Sequence, residues 1–176
     1  TTYSNAIKDF GYMLGLRVES SEYEGTMKST TRALKDTVST YGNKFPISLF
    51  PSVFLSKKLK NEQELQLNYS RRINRPNFFQ LFPFTDYSDS LNLSRGNPAL
   101  TPEFTNSFEL SYQKIFAGNN SLLISGYYKN TNNLITRIFV NELSPVDIND
   151  TLIVNTYTNA NSSYVTGLEI TSRNAL

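Results

Sequence analysis

The chain has 176 residues, a formal net charge of +2 from 17 basic and 15 acidic residues, and neither histidine nor cysteine. The missing cysteines exclude disulfides, thiolate metal sites and thiol nucleophiles, and the missing histidines remove the commonest general base and metal ligand. A near-neutral charge without a basic stripe also argues against a nucleic-acid partner. We therefore expect a protein that is not an enzyme and has no catalytic residue, metal site or cofactor.

The aromatic content favours a strand-rich fold. The chain contains 11 Tyr and 12 Phe, whereas a disordered chain has few aromatics, and Tyr, Phe and Thr are common in strands. No run of 18 apolar residues predicts a transmembrane helix. A membrane-spanning strand, however, needs only about 9–11 residues with apolar side chains at alternate positions.

Alternation of apolar and polar residues predicts about six long strands. The first runs from about Phe10 to Tyr23, longer than strands of soluble proteins usually are. The alternation of apolar and polar residues is clear in four segments and weaker in two, one of which is interrupted by Pro51. In chain order the six segments are 11–19, 47–58, 64–72, 105–113, 121–135 and 167–171.

The connections between these segments alternate in length. Long loops are predicted near 25–46, 75–103 and 136–162, and short turns near 59–62 and 116–120. Outer-membrane barrels keep short turns on the periplasmic side and long loops outside. The pattern therefore predicts an all-β, antiparallel, up-and-down meander that forms part of a transmembrane β-barrel.

The alternation also predicts which side chains face lipid and which face the barrel lumen. Apolar residues of the alternating segments form the lipid-facing set: Tyr12, Leu14, Leu16, Leu65, Leu67, Phe108, Leu110, Tyr112, Leu168 and Ile170. Their small, polar or charged neighbours form the lumen-facing set: Gly15, Arg17, Gln66, Asn68, Glu109, Ser111 and Glu169. The two sets should lie on opposite faces of one sheet.

The segment 65–103 carries a recognisable pattern. Its elements are Tyr69–Ser70–Arg71–Arg72–Ile73, Arg75–Pro76, the stretch 81–84, Asp86–Tyr87, Gly96–Asn97–Pro98, Leu100 and Pro102–Glu103. Flanking elements agree in order, namely 15–19, 49–52, 107–112 and 167–169. The combined pattern resembles the TonB-dependent receptor-like outer-membrane β-barrel proteins of Bacteroidota, and it covers nearly the whole chain apart from 24–43.

The resemblance implies a barrel of about 22 strands with an N-terminal plug, located in the outer membrane of a Gram-negative bacterium. It implies energised uptake of a nutrient, which could be a siderophore, a glycan or a peptide. The implied partners are outer-membrane lipid, the remaining strands and plug of the same protein, TonB and a surface lipoprotein. No plug is recognisable, so we expect residues 1–176 to be a fragment of a single barrel domain.

The long connection 75–103 is the candidate ligand-contacting loop. Its prolines interrupt regular strand pairing, and its aromatic residues can form a hydrophobic cluster beneath the loop. Packing within the loop and contact with a ligand are both open interpretations of this cluster. The candidate residues are Arg75, Phe78, Phe79, Phe82, Phe84 and Tyr87.

Two other functions compete with nutrient uptake. One is a non-transport outer-membrane barrel that serves in assembly, secretion or adhesion. The other is a soluble carbohydrate-binding β-sandwich, which would have shorter strands and a closed core.

Overall fold

A computed structural model describes residues 1–29, 37–86, 93–143 and 151–174. Over this part the chain is built almost entirely from strands, with one helix of four residues, α1 (Phe78–Leu81), and a 3-10 turn at Ala117–Asn119. The strands are β1 (Thr2–Ile7), β2 (Phe10–Ser29), β3 (Thr37–Leu59), β4 (Gln63–Asn74), β5 (Thr85–Asp86), β6 (Leu93–Arg95), β7 (Glu103–Ile115), β8 (Ser121–Asn132), β9 (Ile135–Leu143), β10 (Thr151–Asn159) and β11 (Ser162–Arg173).

Seven strands form one antiparallel sheet in the order β1-β2-β3-β4-β7-β8-β11, which we call the barrel sheet. Neighbours in space follow one another along the chain except where β5–β6 and β9–β10 intervene. The predicted up-and-down meander of six long strands is therefore confirmed. A seventh, shorter strand, β1, was not predicted, because Asn5 interrupts the apolar alternation of Tyr3 and Ile7.

The register separates the predicted lipid-facing and lumen-facing residues onto opposite faces. Residues directly opposite each other in a sheet point to the same side. Leu67 lies opposite Leu110, whereas the next residue, Asn68, lies opposite Glu109. The same parity extends outward through β3 to Leu14 and through β8 to Leu168.

The apolar face of the barrel sheet is exposed rather than covered by a second layer. Leu110 at its centre is 52% exposed, and most of the other lipid-facing residues are similarly open. In water such a surface would be unstable, but lipid tails would cover it. A soluble β-sandwich is therefore the wrong architecture for the described residues, because a sandwich buries its apolar face against another sheet.

The two ends of the barrel sheet differ. At one end, the turn end, the strands are joined by short connections at residues 8–9, 60–62 and 116–120. Lys8, Asn61, Glu62, Gly118 and Asn119 have positive φ there, as tight turns require. At the other end, the hairpin end, the chain continues well beyond the sheet. Among the described residues no helix is long and apolar enough to cross a membrane.

The stretch predicted as a loop near 25–46 is mostly strand. Pairing of β2 with β3 continues to Ser29 opposite Thr37, after one bulge between Glu19 and Ser21. The prediction was wrong because a pair of strands that extends beyond the lipid needs no apolar face. Its Ser, Thr and Tyr residues therefore lack the alternation on which the prediction relied.

The stretch predicted as a loop near 136–162 likewise contains the paired strands β9 and β10. Their register continues that of β8 and β11, and it is bridged by hydrogen bonds from Asn133 N to Asn161 O (3.0 Å) and from Ala160 N to Leu134 O (2.6 Å). Asn133 has a positive φ of 57° and marks the bend in this otherwise continuous hairpin.

The stretch predicted as a loop near 75–103 folds into α1, β5 and β6. Strands β5, β6, β10 and β9 form a second, four-stranded sheet at the hairpin end, in that order. We call residues 75–86 and 93–102 the cap, which pairs with the β9–β10 hairpin. Most of the buried apolar residues among the described ones lie in the cap or against it, namely Leu81, Leu93, Leu100 and Val154.

Candidate ligand-contacting surface

The cap begins with a short helix that the local sequence specifies. Asn77 is its N-cap, and the Asn77 side chain accepts a hydrogen bond from Gln80 N at 3.0 Å. In return, the Gln80 side chain accepts from Asn77 N at 2.9 Å, which completes a capping box. Pro76 precedes the cap residue, where its missing N–H costs nothing. These contacts fix the orientation of α1, and with it the positions of Phe78, Phe79 and Phe82.

The turn Gly96–Asn97–Pro98 packs against the end of α1. Gly96 N donates to Phe82 O at 2.9 Å, and Asn97 N donates to Gln80 O at 2.6 Å. A Cβ atom at Gly96 would lie only 2.5 Å from Phe82 O. Only glycine allows this approach of two backbone segments, which explains why the turn carries glycine there.

The cap is attached to the β9–β10 hairpin by backbone pairing and amide side chains. Leu93 and Ser94 pair in parallel with Val154 and Asn155. The Asn97 side chain donates to Tyr157 O at 2.9 Å. Arg95 forms an ion pair with Glu142 on the far strand of the hairpin.

The cap is also attached to the β2–β3 hairpin on its other side. Tyr23 Oη donates to Pro98 O at 2.5 Å, and burial raises the pKa of this phenol, so it stays protonated as a donor. Arg75 Nε donates to Ser21 Oγ at 3.1 Å, and the Arg75 guanidinium also pairs with the Glu19 carboxylate. The hydrogen bond from Arg75 lowers the pKa of Glu19, aided by the charge of Arg17, although burial opposes the shift.

Glu103 joins three elements where the cap returns to the barrel sheet. This buried carboxylate accepts from the Asn74 side chain at 2.7 Å and from Ile135 N at 2.6 Å. It therefore links the end of β4, the start of β7 and the bend between β8 and β9. Hydrogen bonds to both oxygens offset the cost of burying the charge.

Four of the predicted candidate residues form one aromatic cluster on the cap. The ring centroid of Phe78 lies 5.6 Å from that of Phe79 and 5.2 Å from that of Phe82. Phe82 also contacts Phe84 at 6.1 Å and Tyr41 at 6.4 Å. Tyr41 was missed in the sequence because it lies in the stretch 25–46, which was interpreted as a loop.

Three of these rings are open to solvent. Phe78 is 61% exposed, Phe79 79% and Phe84 53%, whereas Phe82 is half-buried beneath them. We call Phe78, Phe79 and Phe84 the aromatic patch. Exposed phenyl faces can pack against apolar or ring-bearing groups, which makes the patch a candidate contact surface.

The two other candidates have different placements. Arg75 does not contribute to the patch, because its guanidinium is engaged by Glu19 and Ser21. Tyr87 lies outside the described residues. Within the described ranges, no group of three His, Cys, Asp or Glu side chains is placed to hold a metal ion.

Beneath the cap, the polar face of the barrel sheet carries a shallow groove of about 770 Å³. Both signs of charge line it, from Arg72 on β4, Glu109 on β7 and Lys129 on β8. Asn68, Ser70, Asn74 and Ser107 complete its polar lining. This surface can form hydrogen bonds with a protein segment or with water.

Comparison with known proteins gives a consistent result. The model of a family described as "Outer membrane protein beta-barrel family" matches residues 1–176. A search of curated proteins gave no match.

Solved structures with the same fold include a hemophore receptor and siderophore receptors. The hemophore receptor HasR of Serratia marcescens, solved with its hemophore and heme, superposes with a TM-score of 0.62 at 15% sequence identity. The superposition covers 93% of this chain and 29% of the HasR chain. The siderophore receptor PirA of Acinetobacter baumannii gives 0.60 at 14% identity, with coverages of 94% and 23%. The ferric enterobactin receptor PfeA of Pseudomonas aeruginosa gives 0.61 at 17%, with 97% and 32%. This chain therefore spans less than a third of each of these three proteins.

Proposed function

This chain belongs to the outer membrane protein beta-barrel family, and from that membership we propose that it forms part of the wall and outer mouth of a TonB-dependent receptor that takes up a nutrient. Its place is the outer membrane of a Gram-negative bacterium. The remaining strands of the barrel close the two free edges at β1 and β11. A plug from the same protein packs on the polar face.

The orientation in the membrane follows from the connections. Short turns of outer-membrane barrels face the periplasm, and long connections face outside. The turn end of the barrel sheet therefore faces the periplasm, and the cap lies at the cell surface. There it can meet a ligand before the ligand reaches the lumen.

The aromatic patch is the observation that carries the proposal. A folded cap normally buries its large apolar side chains, yet this cap places three phenyl rings in solvent while Leu100 of the same cap is fully buried. Since α1 is fixed by its capping box and by Gly96, the rings are held in place before any ligand arrives, which lowers the entropy cost of binding.

The ligand is a siderophore, a glycan or a peptide with an apolar or ring-bearing face. Arg75 contributes no free charge to the patch, because it is paired with Glu19. Ferric chelates are the first class to test, since the solved receptors of the same fold include siderophore receptors.

The direct test uses the complete receptor with Phe78, Phe79 and Phe84 changed together to alanine. Binding of ferric siderophores, oligosaccharides and peptides is measured by calorimetry. We expect the triple variant to bind the ligand of the wild type with an affinity lower by about tenfold or more, as is found when aromatic anchors of an interface are truncated. Phe139→Ala is the matched control, because Phe139 is 72% exposed on β9 but contacts no ring of the cluster. Equal losses in both variants would contradict the assignment.

Transport is tested separately by uptake of the radiolabelled ligand into cells with and without a protonophore. Energised transport through TonB predicts that the protonophore abolishes uptake and leaves surface binding intact. Binding without any energised uptake would instead favour a barrel that serves in assembly, secretion or adhesion. Co-purification from the outer membrane would identify the proposed surface lipoprotein.

A further inference from the structure

The charged residues of the barrel sheet are distributed unequally between its two faces. On the polar face, cations and anions alternate, as with Lys58 opposite Glu64. Between the turn end and Arg71, the register places three charged side chains on the apolar face, all of them cations: Lys57, Arg71 and Lys114. No carboxylate shares this face between the turn end and Arg71 in the described strands.

The three cations stand at the borders of the apolar surface. Lys57 lies opposite Phe10 and Leu65, and Lys114 lies opposite Gln63, so both belong to the turn end. Arg71 lies opposite Asn106 near the hairpin end. Between these rows the face carries Leu67, Tyr69, Phe108, Leu110 and Tyr112, with no charged side chain.

The spacing of these rows matches a lipid bilayer. Gln63 and Arg71 are eight residues apart on β4, which corresponds to about 27 Å along a strand. A strand tilt of about 40° reduces this to about 21 Å along the membrane normal, close to the roughly 25 Å apolar band of outer-membrane barrels. Lys114 therefore lies at the level of the lipid headgroups. Lys57 lies in the row of Leu65, two residues further in, and its long side chain can extend the ammonium to the same level.

In the part of the chain that the structure describes, no carboxylate neutralises either lysine. Among the described residues, Lys57 and Lys114 form no ion pair. The Lys114 ammonium lies 5.0 Å from the centre of the Phe116 ring, which holds it at the sheet border. Two uncompensated cations beside aromatic rings are suited to a phosphate at a membrane interface.

We propose that Lys57 and Lys114 form a binding surface for the phosphate group of an anionic phospholipid at the turn end of the barrel. The acyl chains of that lipid lie along the apolar strip that begins at Leu65 and Tyr112. This inference rests on the position of the sheet in the membrane and is independent of what the receptor transports.

The test measures lipid selectivity of the complete receptor in phosphatidylcholine bilayers. Trace spin-labelled phosphatidylglycerol or phosphatidylcholine reports the lipid fraction immobilised on the protein by electron paramagnetic resonance. We expect the wild type to prefer phosphatidylglycerol. The double variant, Lys57→Gln with Lys114→Gln, should lower this preference by about fivefold or more, because a single lysine near an anionic lipid surface already contributes about fivefold to the affinity. Raising the salt to about 1 M should also reduce it, because the Debye length falls to about 3 Å.

Lys58→Gln is the matched control. Lys58 is the neighbour of Lys57 in the chain and is equally exposed, but it lies opposite Glu64 on the polar face. It should leave lipid selectivity unchanged. The proposal is overturned if the wild type shows no preference, if the double variant keeps it, if high salt has no effect, or if Lys58→Gln lowers it equally.

Discussion

Asn159 and Thr101 exchange two hydrogen bonds across the junction between the cap and the β10 strand. Thr101 N donates to Asn159 Oδ1, and Asn159 Nδ2 donates to Thr101 O, both at 2.9 Å. The same Asn159 amide also donates to Asn133 O at 2.7 Å, at the bend of the long hairpin. One side chain thus holds together three segments that lie far apart in the sequence.

Replacing Asn159 with alanine should loosen the cap. The change removes the two hydrogen bonds to Thr101 and the one to Asn133, and a hydrogen bond contributes a net stabilisation of about 0.5–1.5 kcal/mol. Hydrogen exchange followed by mass spectrometry should show faster exchange over residues 93–102. Asn141→Ala is the control, because Asn141 is exposed on β9 and makes no side-chain hydrogen bond within the described residues. Unchanged exchange in Asn159→Ala would show that the backbone pairing of β6 suffices.

Replacing Gly96 with alanine should disrupt the packing of the turn on α1. The new methyl group would meet the backbone of Phe79 and Phe82 at 2.5–2.6 Å, and backbone cannot move aside cheaply. Overpacking of this kind costs about 1–3 kcal/mol or more. Limited proteolysis of the folded receptor should reveal a newly accessible site in 77–98. Gly126→Ala should have no such effect, because nothing lies within 4 Å of a Cβ at that position.

A charge placed at the centre of the apolar face should impair membrane folding. Leu110→Lys puts an ammonium among Leu67 and Leu168, which costs about 2–4 kcal/mol at the bilayer midplane. Urea titration of the receptor folding into phosphatidylcholine vesicles measures this difference. Asn68→Lys provides the comparison, because it places the same side chain on the polar face opposite Glu109. Equal destabilisation by both changes would contradict the assignment of the two faces.

The contact between Glu19 and Arg75 should weaken only in acid. Because the folded protein lowers the pKa of Glu19 below the ordinary glutamate value of 4.5, the contact contributes its full stabilisation at pH values above that value. That stabilisation is lost as the pH falls through the lowered pKa. Hydrogen exchange of residues 73–79, corrected for intrinsic rates, should therefore be constant from neutral pH down to about 5 and rise in stronger acid. In Glu19→Gln this acid-dependent rise should disappear.

The membrane part of the fold could be predicted because lipid imposes a strict rule. Every second residue must be apolar, so the segments around Leu14, Leu67 and Leu110 reveal their faces in the sequence. Beyond the bilayer this constraint ends. The outer parts of β2, β3, β9 and β10 are polar on both faces, and alternation could not distinguish them from loops.

The cap could be located from the sequence but its construction could not. Pro76, Gly96 and Glu103 stand out as turn signals and as part of a recognisable pattern. Their roles depend on partners distant in the chain, such as Phe82 for Gly96 and Ile135 for Glu103. The pairing of Leu93 and Ser94 with β10 involves two residues and leaves no periodic signal. The exposure of Phe78, Phe79 and Phe84 depends on this packing.

The residues that fasten the cap are different from the residues that it displays. Gly96, Leu100 and Glu103 face inward or toward the neighbouring hairpins, whereas the patch phenylalanines make few contacts with that framework. A change of the Phe79 side chain therefore leaves these contacts intact, whereas a change at Gly96 disturbs the packing of the turn on α1. Because the two sets of residues are separate, single substitutions in the aromatic patch can change which ligand is bound while the cap still folds. The outer surface can therefore evolve new specificity one side chain at a time.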